Sequence, residues 1–131
     1  MWQFNVLVID DDEEMRNVLN IIVQQIGGNV VAEGHDGKEA VSYYIQLRPH
    51  IVLLDVQMPK YDGITALKKI KAINPKACVI MLTSENSVGI VKNCINAGAN
   101  SYVLKKNPTD VIAKELEKGW SKYLNQLTGA A

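Results

Sequence analysis

The sequence predicts a doubly wound α/β domain built on a five-stranded parallel sheet. Three observations carry this reading. Short unbroken runs of apolar, largely β-branched residues recur along the chain, apolar positions at helical spacing follow each run, and acids, hydroxyls or a lysine stand just past the runs. Unbroken apolar runs mark strands covered on both faces, and parallel neighbours need crossovers, which are nearly always right-handed.

The elements follow in order. Val6, Leu7, Val8 and Ile9 form a first strand that stops at Asp10, Asp11 and Asp12. Met15, Val18, Leu19, Ile22 and Ile26 then repeat at spacings of three and four, opened by an aspartate cap and closed by Gly27 and Gly28. Residues 29–33 read as a second strand, Asp36 and Gly37 as a turn, and Ala40, Val41, Tyr44 and Leu47 as a helix closed by Pro49. Ile51, Val52, Leu53 and Leu54 make a third strand ending in Asp55. After a loop with Pro59, Asp62 and Gly63, Ile64, Leu67, Ile70 and Ile73 mark a third helix that Asn74 and Pro75 terminate. Lys68, Lys69 and Lys71 are expected on its solvated side. Residues 78–82 form strand four, ending at Thr83 and Ser84; Val88, Val91, Ile95 and Ala97 mark a fourth helix ending at Gly98. Residues 101–104 form strand five, ending at Lys105, and Asn107 with Pro108 and Asp110 is expected to cap a last helix through Trp120 and Leu124.

Composition bounds the rest. At 131 residues one domain is expected, spanning 1–127, with 128–131 as a disordered tail. With 47% hydrophobic residues the core needs no disulfide, and Cys78 and Cys94, inside apolar patterns, read as buried reduced thiols. Basic and acidic residues number 14 each, so no net charge recommends direct nucleic-acid binding. The absence of a leader-like start and of any run near ~20 apolar residues predicts a soluble, cytoplasmic protein without membrane contact. Met15 and Met58 read as packing residues, and His35 and His50, beside turns without partner spacing, as surface histidines.

Functional groups of open parallel sheets gather outside the carboxyl ends of the strands. Here those ends deliver Asp10, Asp11, Asp12, Asp55, Thr83, Ser84 and Lys105. Two carboxylates about 4 Å apart repel by roughly 4 kcal/mol at an effective dielectric near 20, so such a set needs a counter-charge. A hard divalent cation such as Mg2+ supplies it, since it prefers carboxylate oxygen and also takes phosphate oxygens, and Lys105 adds a point charge. Metal, carboxylate, ammonium and hydroxyl are together what phosphoryl transfer requires. The aspartate triplet alone could cap a helix without any ion; Asp55 and Lys105 tip the reading toward a metal.

The segments VLVIDDDEEMR, IVLLDVQMPKYDGI, VIMLTSENS and SYVLKK together resemble bacterial response-regulator receiver domains of the chemotaxis type, over nearly the whole chain. The resemblance implies a flavodoxin-like (βα)5 fold with strand order 2-1-3-4-5 flanked by five helices. It implies a phosphorylation-activated switch rather than a conventional enzyme, one that assists its own phosphorylation and dephosphorylation. Asp55 would be the phosphoacceptor, Asp11 a direct Mg2+ ligand, Asp10 a ligand largely through water, and the Gln57 backbone carbonyl a further ligand. Thr83 would hydrogen-bond the phosphoryl oxygens, Lys105 would pair with them, and Tyr102 would follow Thr83 inward as the switch aromatic. Gln57 and Glu85 hold positions that tune hydrolysis in the family. The implied partners are a histidine kinase or phosphotransfer protein and a downstream protein target, met through the face of helix four, strand five and helix five by a monomer or weak dimer.

One departure is Lys106 where receivers usually have a cis proline. A trans Lys105–Lys106 peptide is predicted, because a non-proline cis bond costs about 3–4 kcal/mol, and Lys106 is expected to face solvent. Three other functions compete. A haloacid-dehalogenase-like phosphatase would also form an aspartyl-phosphate, but its usual acid two residues after the nucleophile is replaced by Gln57. A flavin or dinucleotide binder would need GxGxxG or a P-loop, and neither occurs. A degenerate receiver serving as a docking module would not need the complete acid, hydroxyl and lysine set.

Overall fold

A computed structural model describes residues 4–58, 60–85 and 87–128. Strands and helices alternate from β1 (Phe4–Ile9) and α1 (Glu13–Gln25) through β2 (Gly28–Gly34), α2 (Gly37–Leu47), β3 (Ile51–Asp55) and α3 (Gly63–Ile73). The chain continues with β4 (Cys78–Thr83), α4 (Val88–Asn96), β5 (Ser101–Leu104) and α5 (Thr109–Thr128). All neighbours pair in parallel, in the order β2-β1-β3-β4-β5. The doubly wound architecture and this strand order match expectation.

Alternation along the strands divides the core in two. Val6, Val8, Ile51, Leu53, Ile80, Leu82 and Val103 point to the side of α1 and α5, where Leu19, Ile22, Ile112 and Leu116 meet them. Leu7, Ile9, Val52, Leu54, Val79 and Met81 point to the other side, against Ala40, Tyr44, Leu67, Ile70 and Cys94. Successive residues of a strand face opposite ways, so only a sheet covered on both sides can bury a continuous apolar run. Cys78 and Cys94 are buried free thiols, and burial pushes the Cys78 thiol up to about 12, which keeps it protonated and inert. Met15 and Met58 pack against the two cores as expected.

Side chains start four of the helices. Asp12, Asp36, Asp62 and Ser87 each accept a backbone N–H two or three residues on, at 2.8–3.1 Å. The fifth differs from expectation. Asn107 does not cap α5; its amide donates to Glu115 at 3.0 Å, while Pro108 supplies the carbonyl that accepts from Val111 and Ile112. A proline can precede a helix because it has no N–H to satisfy there, which left the Asn107 side chain available to reach along the helix.

Four other expectations are corrected or bounded. Lys71 is not on the solvated side of α3: its ammonium donates to the Ala77 carbonyl and to Asn100 Oδ1, and burial pulls its pKa down. β2 is longer than predicted at both ends, because Gly28 and Gly34 pair with Phe4 and Ile9. Pro59 lies outside the described residues, and α5 includes Thr128. Among the described residues no peptide is cis, so Lys105–Lys106 is trans, and Lys106 is exposed.

Candidate functional site

Sheet register assembles the site. Ile9 pairs with Leu54, Asp55 with Leu82, and Thr83 with Leu104, so β1, β3, β4 and β5 end nearly level. Parallel bonding continues one step further, from the Val56 N–H to the Leu82 carbonyl at 3.0 Å and from the Lys105 N–H to the Thr83 carbonyl at 2.8 Å. The residues that follow the strands are therefore neighbours across the sheet edge.

Asp10 is fully buried, and both of its oxygens are engaged. Oδ1 accepts the Asp12 N–H at 2.9 Å, and Oδ2 accepts from the Lys105 ammonium at 3.0 Å. Asp55 is 4% exposed; its Oδ2 accepts from the same ammonium at 3.2 Å, and Oδ1 faces the Gln57 N–H at 3.4 Å. Asp11 is exposed at the mouth. Asp10, Asp11 and Asp55 each offer one oxygen, and these lie within 4.8 Å of one another, close enough to share a metal ion. Asp12 turns away to cap α1.

Electrostatics follow from this crowding. Burial, then the charge of Asp10, push the Asp55 carboxyl up to about 7, and Lys105 only partly opposes them. Burial pulls the Lys105 ammonium down, but its hydrogen bond to Asp10 and the charges of Asp55 and Asp10 outweigh that and hold it above its ordinary value. One ammonium thus serves two carboxylates, and the site gains from any further cation.

The remaining expected residues are near but not all engaged. Thr83 is buried, and its hydroxyl donates to the Glu85 carbonyl at 2.9 Å while accepting the Glu85 N–H at 3.1 Å, a local turn and not a contact with Asp55. Ser84 is exposed beside it. Tyr102 is 36% exposed and lies outward, lining a 280 Å³ cleft with Val88, Val91 and Ile95 of α4. Gln57 is exposed in the loop after β3, and Gly63 is pressed so closely on that loop that a Cβ would stand 2.0 Å from the Asp55 carbonyl oxygen. Only glycine fits there.

Arg16 was not foreseen. Its guanidinium donates to the Asp10 carbonyl at 2.7 Å and pairs with Glu33 at 3.4 Å, bracing the end of β1 from α1 and β2. Nothing in the spacing pointed to it, because Glu33 is distant in sequence. His35 also has partners after all: its Nδ1 lies 3.1 Å from Glu39 Oε1, four residues on, and 3.5 Å from Asp36 Oδ2, although the ring stays exposed as predicted. His50 is exposed too, with Nδ1 accepting the Asn5 N–H at 2.8 Å.

Comparison with known proteins accords with this geometry. Residues 6–117 match the model of the response regulator receiver domain. The chain is 39% identical over 113 residues to the chemotaxis protein CheY of Listeria monocytogenes, covering 86% of this chain and 95% of that one. Among solved structures it resembles the response regulator domain of Thermotoga maritima CheB, with TM-score 0.84 at 32% identity, covering 95% of this chain and 98% of that one. It also resembles a CheX-CheY-BeF3-Mg2+ complex chain from Borrelia burgdorferi, with TM-score 0.84 at 33% identity, covering 88% and 87%. With its acids, lysine and threonine collected at the carboxyl edge of a 2-1-3-4-5 sheet, the chain belongs to the response-regulator receiver family and is a receiver domain of the CheY-like kind.

Proposed function

We propose that this receiver is switched by transfer of a phosphoryl group to Asp55 from a phosphohistidine of a histidine kinase or phosphotransfer protein. The carrying observation is the meeting of Asp10, Asp11 and Asp55, with oxygens within 4.8 Å of one another, beside the Lys105 ammonium that bonds Asp10 and Asp55. Their donor chemistry suits magnesium, because the groups on offer are hard carboxylate oxygens lying within 4.8 Å of one another. Asp10, Asp11, Asp55 and the Gln57 carbonyl would hold the ion. When bound it would neutralise carboxylate and phosphoryl oxygens together, and the Borrelia relative's complex includes Mg2+.

The residues of the chain then divide the work. An Asp55 oxygen attacks phosphorus, the P–N bond to the donor imidazole breaks, and an acyl phosphate forms on Asp55. A carboxylate poised near neutrality is ionised more readily as a cation approaches. Lys105, already 3.2 Å from Asp55, is placed to follow the new negative charge. Thr83 would release Glu85 and bond a phosphoryl oxygen, and Tyr102 would move inward from α4. A target that prefers the rearranged face of α4, β5 and α5 gains affinity by that difference.

We read the domain as a switch retaining its phosphoryl group, not a turnover phosphatase, because the neutral Gln57 stands where such phosphatases carry an acid. It would act in the cytoplasm as a monomer or weak dimer; among the described residues no helix is long and apolar enough to cross a membrane. Incubation with acetyl phosphate and Mg2+ followed by mass spectrometry tests the assignment. One phosphoryl group per chain is expected, absent from Asp55→Asn, and labelling of that variant would refute it.

A further inference from the structure

The loop between β3 and α3 carries Gln57, and at Lys60 and Tyr61 it is also held from outside the acidic site. Helix α2 begins directly against it. At Gly37, the first residue of α2, a Cβ would lie 2.3 Å from the Tyr61 carbonyl oxygen and 2.5 Å from the Tyr61 Cβ, so backbone rests on backbone. Beside it Asp36 is 2% exposed; Oδ1 accepts the Glu39 N–H at 2.8 Å, and Oδ2 faces the Lys60 ammonium at 3.6 Å. Lys60 has φ 68°, a left-handed conformation that a non-glycine residue adopts only where its surroundings hold it. The Tyr61 ring is met from α3 by the Lys69 ammonium, 5.0 Å from its centroid. His35 and Glu39 complete the charged rim, and Lys60 already faces Asp36 there, so the chain meets this rim's negative charge with its own cations.

The other end of the loop is gripped as firmly. The Gly63 N–H donates to the Val56 carbonyl at 2.7 Å, with Gly63 packed on the Asp55 backbone. Between the two grips stands Gln57, whose N–H faces Asp55 Oδ1. Lys60 and Tyr61 thus lie in the same loop as Gln57, three and four residues after it.

We propose that the start of α2 is a clasp: Asp36 and Gly37 hold Lys60 and Tyr61, and thereby set where Gln57 stands relative to Asp55 and its cation. This makes Asp36 and Lys60 positioning residues for the chemistry at Asp55, and it rests on the function proposed above. Three variants test it. Asp36→Asn keeps an oxygen for the Glu39 N–H but removes the charge, Lys60→Gln keeps length without charge, and Gly37→Ala drives Tyr61 away. Calorimetric titration with Mg2+ and amide exchange over residues 56–63 in the metal-free protein are the readouts.

Each charge variant is expected to raise the Mg2+ half-saturation about threefold, the size of one partly exposed ion pair, and to speed exchange over 56–63 similarly. The double variant should be no worse than either single, because the two share one interaction. Gly37→Ala should do more; if it fails to fold, the charge variants carry the test. A lowered melting temperature with unmoved half-saturation would reduce Asp36 to a helix cap and overturn the proposal. A wild type that binds no Mg2+ would sink the proposed function and the clasp with it, whereas a binding wild type with unmoved variants sinks the clasp alone.

Discussion

The two ends of the sheet are built on opposite principles. At the carboxyl ends, Asp10 and Asp55 are buried side by side with one ammonium between them. At the amino ends, Phe4 and Tyr123 stack on Trp120 with centroids 5.3 and 5.4 Å away, and the His50 ring meets it edge-on at 6.2 Å. The first arrangement accumulates like charge that burial cannot relieve; the second buries apolar area and adds favourable ring contacts. The contrast teaches that this fold draws stability from one end and leaves the other with two buried carboxylates sharing one ammonium.

Breaking the stabilising end should have the largest effect. Trp120→Ala is expected to lose about 3–5 kcal/mol in urea denaturation, while Asp55 in the remaining folded protein still takes its phosphoryl label. An unchanged midpoint would show that the aromatic cluster does not anchor α5.

The opposite sign is expected at the reactive end. Asp55 is raised to about 7 in the folded chain, so its contribution favours folding below the ordinary value of 3.8 and is lost as pH rises through 7. Without metal, Asp55→Asn should therefore be more stable than wild type by on the order of 2 kcal/mol at pH 8, with the gain fading toward pH 4. Saturating Mg2+ should close the gap by stabilising the wild type. Equal melting temperatures across that range would contradict the crowding described here.

Asp36 sharpens the comparison, being a buried acid that is satisfied. The Glu39 N–H lowers its pKa, burial opposes, and Lys60 and His35 add to the lowering. Its stabilisation is present above the ordinary 3.8 and is lost as pH falls through the lower folded value. Asp36→Ala should cost about 1 kcal/mol at pH 7 and progressively less in strong acid. The smallest stability effect is expected for Tyr102→Ala, within ~0.5 kcal/mol, since the ring lies outward. Its readout is target binding, which should lose its dependence on phosphorylation; a variant that keeps that dependence removes Tyr102 from the switch.

Much of this was legible in the chain itself. Leu7 and Val8 read as doubly covered strand because adjacent apolar residues have no other economical placement, and Asp10, Asp55, Thr83 and Lys105 were legible as a site because each follows such a run. Lys71 was misread because its partners, the Ala77 carbonyl and Asn100, come from segments that helical periodicity does not describe. Asn107 was misread because its partner, Glu115, stands eight residues on along α5, outside the two- or three-residue reach on which a cap motif is read.

By itself the sequence determined the order of elements, the two-sided core and the identity of the groups at the sheet edge, since these depend on local periodicity and on where each apolar run stops. Only the tertiary structure decided which groups are already engaged: Lys105 on Asp10 and Asp55, Thr83 on Glu85, Arg16 on the Asp10 carbonyl, and Lys60 on Asp36. Hydrogen bonds and charges act over a few ångströms through space, and which residues come that close is fixed by strand register and helix packing, not by their spacing along the chain.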